Sequence, residues 1–237
     1  RYGLVSGAYE HTATTESVAG LEDTLVSAAL SGLAPNTTYY YRVEAANAGG
    51  ETYGEERTFA TGLAAPVALT EPADGITETG ATLRATVNAR NADTAIHFQY
   101  GLGTAYGETA VADPDTVSGL DDATASAVLA GLAPNTTYRC RVVATNGAGA
   151  TYGEDATFTT GQVAPLATTE DATEVTGTGA TLHGTVNAQN DDATILFEYG
   201  LDDAYGESAP ADPATASGSG DNAVSCVLTG LLPGATY

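Results

Sequence analysis

Lysine is absent from this 237-residue sequence, and all seven of its basic residues are arginine. Thirty acidic residues leave a formal net charge of −23. Because nucleic-acid binding needs a basic patch that neutralises phosphates, this balance argues against nucleic acids and anionic membrane surfaces as partners. Two interpretations of the acids stay open. They form either a solvated, self-repelling surface of an extracellular or halophilic protein, or carboxylate-rich loops that bind divalent cations.

Long apolar runs are also missing. Hydrophobic residues make up 43% of the chain, which is typical of a globular protein. No run approaches the roughly 18–20 residues of a membrane span. No signal peptide begins the sequence, and residues 1–3 resemble the interior of a longer chain, so we infer nothing about targeting from this absence.

Catalytic motifs are the third absence. The sequence contains no G-x-S-x-G, no H-E-x-x-H and no glycine-rich phosphate loop after a strand. The three histidines, His11, His97 and His183, do not have metal-ligand spacing, and we interpret them as surface residues. We therefore expect neither an enzyme nor a bound cofactor.

A repeat of about 99 residues dominates what is present. GLAPNTTY occupies residues 32–39 and again 131–138, and GLLPGATY occupies 230–237. The segment ATLRATVNA at 81–89 likewise recurs as ATLHGTVNA at 180–188. This period is too long for a solenoid repeat and fits a self-contained domain. It predicts a C-terminal part of one domain at 1–62, a complete domain at 63–161 and an N-terminal part of a third at 162–237.

The complete unit has strand periodicity. Ala81, Leu83, Ala85 and Val87 alternate with polar residues, which predicts a strand with one buried face. Stretches rich in Gly, Asn, Asp and Pro lie between such segments and predict turns; they include 88–93, 111–122 and 145–154. Short strands at this spacing indicate an all-β antiparallel sandwich.

The order of these motifs resembles a tandem array of fibronectin type III domains of the kind found in bacterial and archaeal surface proteins. The L-x-P-x-T-x-Y core of the octapeptide is similar to that family's signature at the corner before its sixth strand. The family's usual tryptophan is missing, and Leu83 or Leu182 lies in that strand instead. The resemblance implies immunoglobulin-like sandwiches with tyrosine corners at Tyr39, Tyr138 and Tyr237, whose hydroxyls bond back to the turn.

Three further groups are candidate sites. Asn36 and Asn135 lie in Asn-x-Thr sequons and are either turn residues or N-glycosylation acceptors. Cys140 and Cys226 fall in different predicted domains, so we expect buried free thiols rather than a disulfide. Four carboxylates of the central unit are candidate calcium ligands, although no EF-hand pattern holds them: Asp113, Asp115, Asp121 and Asp122.

The repeat predicts a non-catalytic structural region of a long extracellular or cell-surface protein: a filament, an adhesin stalk or a spacer. Proline-containing linkers at 61–66 and 160–165 leave few free residues, so neighbouring domains should be restrained. The expected partners are other copies of the chain in a fibre or surface array. Partial units at both ends would fit a continuous polymer or assembly of the parts in trans.

The alternative function is a carbohydrate- or protein-binding accessory module of a secreted enzyme, with glycans or cell-surface proteins as partners. It would use exposed tyrosines as aromatic platforms: Tyr53, Tyr106, Tyr152 and Tyr205.

Overall fold

The computed structural model describes all residues from 1 to 237 and contains strands and turns but no α-helix. Residues 1–62 hold five short strands: β1 (Tyr2–Gly3), β2 (Thr38–Tyr41), β3 (Glu44–Asn47), β4 (Gly50–Tyr53) and β5 (Arg57–Ala60). They form a three-stranded sheet in the order β1-β2-β5 and a separate β3-β4 hairpin, all antiparallel.

Residues 63–161 hold eight strands: β6 (Val67–Asp74), β7 (Gly80–Asn88), β8 (Thr94–Gly101), β9 (Glu108–Val117), β10 (Asp122–Ala130), β11 (Thr137–Asn146), β12 (Gly149–Tyr152) and β13 (Ala156–Thr159). Strands β6, β7 and β10 form one layer, and β8, β11, β12 and β13 form the other. Every pairing is antiparallel. The result is a fibronectin type III-like β-sandwich, as the sequence predicts.

The core of this sandwich lies between the two layers. Leu83 and Val87 from β7 meet Phe98 from β8 and Val142 from β11, and all four side chains are fully buried. Complete burial of one such side chain contributes about 1.5–3 kcal/mol. The period-two prediction for residues 81–87 is confirmed, because each apolar residue of the set belongs to this core.

Two predicted turns are wrong. Residues 111–117 continue strand β9, and residues 149–152 form strand β12. Strand β9 pairs with β8 on both sides of Pro114, with a register shift between Ala95 and His97, and Asp113 faces Ser126 of β10. Pro114 lies at this irregularity, where the ladder with β8 is interrupted. Only a short part of this strand needs a regular ladder on both sides, so the proline is tolerated.

Residues 162–237 repeat the first five strands of the central sandwich: β14 (Leu166–Thr173), β15 (Gly179–Asn187), β16 (Asp191–Tyr199), β17 (Glu207–Gly218) and β18 (Asp221–Thr229). Their order is β14-β15-β18-β17-β16. Residues 162–237 include no counterparts of β11 to β13, and the inner face borders an open groove of about 810 Å³ lined by residues such as Phe197 and Tyr237.

The amino-terminal part differs from the repeat in one respect. Residues 24–31 align with strand β10 of the central sandwich, yet residues 12–37 contain no named strand. In the central sandwich β10 pairs along its whole length with β7, and residues 1–62 include no counterpart of β7. Period-two sequence alone does not form a strand without a neighbour to bond to.

Candidate functional site: the junctions between repeats

The same type of hydrogen bond is found in each of the three corner loops, which are residues 33–37, 132–136 and 231–235. The hydroxyl of the tyrosine that follows accepts the backbone N–H of the residue five positions before it. The N···O distances are 2.9 Å from Ala34 to Tyr39, 3.0 Å from Ala133 to Tyr138 and 2.9 Å from Leu232 to Tyr237. Tyr39 and Tyr138 are buried, whereas Tyr237 lies on the uncovered face and is 45% exposed.

Asparagine in these loops has a conformational reason. Asn36 has φ of 46°, Asn135 has 45°, and Gly234, at the same place in the third copy, has 73°. Positive φ favours glycine and, among residues with a side chain, asparagine. The exchange of Asn for Gly between copies therefore preserves the turn. What changes is the side chain, which in the first two copies reaches the next repeat.

The first junction is a reciprocal pair of asparagines. The side-chain nitrogen of Asn36 donates to the backbone oxygen of Asn91, in the loop between β7 and β8. The side-chain nitrogen of Asn91 donates back to the backbone oxygen of Asn36 at 3.0 Å and to Oγ1 of Thr37 at 3.1 Å. Asn91 also has positive φ, 61°, so two left-handed turns meet here.

The second junction repeats the first, 99 residues further along. The side-chain nitrogen of Asn135 donates to the backbone oxygen of Asn190 at 2.7 Å. Asn190 donates back to the backbone oxygen of Pro134 at 3.2 Å and to Oγ1 of Thr136 at 2.9 Å. These amides are uncharged, so the contact does not depend on titration and is not weakened by the chain's excess of carboxylates.

The linker of the first junction is held at both ends. Its beginning is fixed to the preceding corner loop, because the backbone N–H of Asn36 donates to Gly62 at 2.9 Å. Its end is fixed to the next sandwich: Nδ2 of Asn146 donates to the backbone oxygen of Ala64 at 2.9 Å, and Oγ1 of Thr151 donates to Pro66 at 2.7 Å. Few linker residues remain free to swivel.

The second linker begins in the same way. The backbone N–H of Asn135 donates to Gly161 at 2.8 Å. Gln162 then reaches the next repeat, where its side-chain nitrogen donates to the carboxylate of Asp191 at 2.7 Å.

The two junctions lie at opposite ends of the central sandwich. Strands β7 and β10 pair antiparallel, with Asn88 opposite Asp122 and Gly80 opposite Ala130. The loop after β7, with Asn91, is therefore at one end, and the loop after β10, with Asn135, is at the other. Nine residues of strand separate the ends by about 30 Å. A domain that contacts its predecessor at one end and its successor at the other is arranged head to tail.

Three of the four tyrosines considered as aromatic platforms are stacked on arginine: Tyr53, Tyr106 and Tyr152. In the central sandwich the guanidinium of Arg141 lies between Tyr106 and Tyr152, 4.5 Å and 4.4 Å from their ring centres. The hydroxyl of Tyr106 donates to Asp155 at 3.0 Å. The pKa of Tyr106 is raised above its ordinary value, mainly because burial disfavours the charged form and to a smaller extent because of this hydrogen bond. One face of each ring is thus occupied within the domain.

The same stack occurs in the first repeat. The guanidinium of Arg42 lies 4.4 Å from the ring centre of Tyr9 and 3.9 Å from that of Tyr53. Tyr205, the third-repeat counterpart of Tyr106, has no arginine against it and is 55% exposed. In the first and central repeats, packing on a recurring arginine accounts for these tyrosines.

Both cysteines are free and buried, as predicted. Burial raises the pKa of the Cys140 thiol to about 11, with the nearby charge of Asp155 as a smaller cause. A thiol held neutral in a core is unreactive.

The candidate calcium ligands are not gathered into one site. No group of three or more His, Cys, Asp or Glu side chains is arranged to hold a metal ion. Asp113 lies within β9, Asp115 accepts a hydrogen bond from Thr116, and Asp122 accepts one from Asn88. Asp121 lies in the turn just before β10. Calcium binding by these residues stays a prediction.

The histidines are dispersed. His97 lies in β8 and His183 in β15, both partly exposed, while His11 contacts the ring of Tyr2 in the amino-terminal part. No helix in the structure is of a length and hydropathy that could cross a membrane.

The class that this fold defines is thus the fibronectin type III-like β-sandwich module. Residues 1–61 match the family described as the N-terminal domain of purple acid phosphatase. The match is to that N-terminal domain alone and covers about a quarter of the chain. No curated protein is significantly similar in sequence.

Several solved structures are similar in part. The sensor domain of the anti-sigma factor RsgI4 of Pseudobacteroides cellulosolvens matches in a longer form (24% identity, 41% of this chain and 91% of that one, TM-score 0.31) and in a shorter form (27%, 41% and 96%, 0.34). The FN1–FN3 domains of chicken CNTN1 match at 15% identity over 85% of this chain and 69% of that one, with a TM-score of 0.31. Scores this low add nothing to the fold described above.

Proposed function

We propose that this chain is a non-catalytic structural repeat region of a long extracellular protein, which forms a filament, an adhesin stalk or a cell-surface spacer. Residues 1–62, 63–161 and 162–237 act as successive domains of the array. The observation that carries the proposal is the pair of junctions: Asn36 and Asn135 donate to Asn91 and Asn190 of the next repeat, and each of these donates back to the corner loop.

Restraint at the junctions is what a spacer requires. A flexible linker lets adjacent domains fold back, whereas a linker bonded at both ends fixes their relative direction. Each net hydrogen bond contributes about 0.5–1.5 kcal/mol, so the bonds of one junction together favour a single orientation over freely rotating ones. The acid-rich surface supports an extracellular setting and opposes side-by-side collapse of the array.

The carbohydrate-binding alternative gains no support from the tyrosines. Arg141 occupies one face of Tyr106 and one face of Tyr152, so packing within the domain already accounts for these two rings. We therefore do not propose it.

Small-angle X-ray scattering of the 237-residue chain tests the spacer. We compare the wild type with Asn91→Gly and Asn190→Gly, which remove the amide but keep the left-handed turn. The wild type should give a narrow distribution of inter-domain distances, and each variant should give a broader one with a smaller radius of gyration. Asn47→Gly, which changes a hairpin of the first repeat away from either junction, is the control. Identical curves for all four proteins would refute restrained junctions.

A further inference from the structure

The two sequon asparagines, Asn36 and Asn135, are also the residues that donate across the junctions. Nδ2 of Asn135, the atom that would carry an N-linked glycan, is 2.7 Å from the backbone oxygen of Asn190. Nδ2 of Asn36 makes the equivalent bond to Asn91. One side-chain nitrogen of the octapeptide is therefore both the potential glycan acceptor and the donor of the junction hydrogen bond.

The next repeat also bonds to the corner loop beside this nitrogen. Asn190 returns hydrogen bonds to the backbone oxygen of Pro134 and to Oγ1 of Thr136, the residues on either side of Asn135 in the chain. Asn91 donates to the backbone oxygens of Pro35 and Asn36 and to Oγ1 of Thr37. Asn36 is exposed and Asn135 is half-buried, so the second sequon is the more enclosed of the two.

Glycosylation needs the space that the neighbouring loop occupies. A bond forms between Nδ2 and the anomeric carbon of an activated sugar, the bond from that carbon to the phosphate leaving group breaks, and one Nδ2 proton is lost to a base of the transferase. The product carries a sugar ring in place of one amide hydrogen. A ring at this nitrogen competes for volume with the β7–β8 loop, or the β15–β16 loop, of the next repeat.

We propose that each junction controls access to its own sequon, so that a closed junction and a glycan at Asn36 or Asn135 exclude each other. This inference rests on the proposed restraint at the junctions. A closed junction shields the acceptor nitrogen, and an attached sugar holds the junction open. Glycan occupancy would then set the stiffness of the array, one junction at a time.

The experiment uses a soluble N-glycosyltransferase with UDP-glucose, which transfers a single glucose to Asn-x-Thr with release of UDP. Mass spectrometry gives the rate of glucose addition at Asn36 and Asn135 in the folded wild type, in Asn91→Gly and in Asn190→Gly. The chain unfolded in urea that the transferase tolerates, or a peptide of residues 131–139, gives the unshielded rate. Each variant opens only one junction, so the other sequon is the control within the same molecule.

We expect Asn91→Gly to raise the rate of glucose addition at Asn36 by about fivefold or more and to leave the rate at Asn135 unchanged. Asn190→Gly should raise the rate at Asn135 and leave Asn36 unchanged. This factor corresponds to the loss of hydrogen bonds that contribute about one to two kcal/mol. Equal rates in folded and unfolded protein would overturn the inference. So would a rise at both sequons in either variant, which reports general unfolding.

Scattering separates this failure from failure of the proposed function. If the wild-type junctions are restrained but the variants do not change the rates of transfer, only the link to the sequons is wrong. If the wild-type junctions are loose and both sequons react freely, the spacer proposal fails as well.

Discussion

Replacing Tyr138 by Phe removes a single oxygen from the central sandwich. The hydroxyl accepts the backbone N–H of Ala133 at 3.0 Å, and the tyrosine is only 8% exposed. The ring itself packs on Phe158, with centroids 5.6 Å apart and planes 17° from parallel. Phenylalanine keeps that stacking, so the perturbation is confined to the hydrogen bond.

The size of the effect follows from the donor that is left behind. An unpaired buried N–H costs about 1–3 kcal/mol, and the hydrogen bond from Ala133 is part-buried. In a domain of 60–100 residues each kcal/mol corresponds to about 4–8 °C in Tm. We expect Tyr138→Phe to destabilise the central sandwich by about 1–3 kcal/mol.

The assay is reaction of Cys140 with a thiol reagent under native conditions. Cys140 is 1% exposed, so it reacts only when the central sandwich opens, and its rate reports the free energy of that opening. The parent protein carries Cys226→Ala, the residue that the central repeat has at this position (Ala127), so that a single thiol remains. Tyr100→Phe is the matched control, since that hydroxyl has no hydrogen bond within the chain.

The expected result is a faster reaction of Cys140 in Tyr138→Phe, by the factor that corresponds to about 1–3 kcal/mol. Tyr100→Phe should stay within about 0.5 kcal/mol of the parent. If both variants react at the same rate, the hydroxyl of Tyr138 does not support the corner, and the argument from the octapeptide is wrong.

Three further predictions concern the central repeat and the whole chain. Because the pKa of Cys140 rises from 9.0 to about 11 on folding, its contribution to stability is complete below pH 9 and is lost as pH rises towards 11. The urea midpoint of unfolding should therefore fall between pH 9 and 11, and Cys140→Ala should remove this part of its pH dependence. Gly101→Ala should destabilise by about 1–3 kcal/mol or more, since its Cβ would lie 1.5 Å from the backbone oxygen of Tyr106, whereas Gly103→Ala has open space and should be neutral in urea unfolding. Raising ionic strength from about 0.01 to about 1 M shortens the Debye length from about 30 to 3 Å, so a chain of net charge −23 should unfold at higher urea, and an unchanged midpoint would contradict self-repulsion.

The sequence predicted best what depends on neighbours within one strand. Alternation at Leu83 and Val87 identified a buried face, because a strand places successive side chains on opposite sides whatever its partners are. The turn predictions were wrong where strand pairing outweighs amino-acid composition. Residues 111–117 contain two aspartates and a proline, yet they form a strand because β8 and β10 both offer bonds to it.

The junctions were not predicted, although a signal for them was present. Asn91 and Asn190 recur at the same 99-residue interval as Asn36 and Asn135. Nothing in the sequence says that a loop after the second strand of one domain meets the corner loop of the previous one. That contact depends on the direction in which the linker leaves the corner, which is fixed by bonds such as the one from Asn36 to Gly62.

The antiparallel order of the central sandwich also decides how the chain would respond to pulling. Strand β6 begins at Val67 at one end of the sandwich, and β13 ends at Thr159 at the other. Each is bonded along its length to a neighbour, β6 to β7 and β13 to β11. Tension along the array would run parallel to these strands and load their hydrogen bonds in shear, so that several bonds would have to break together rather than one after another.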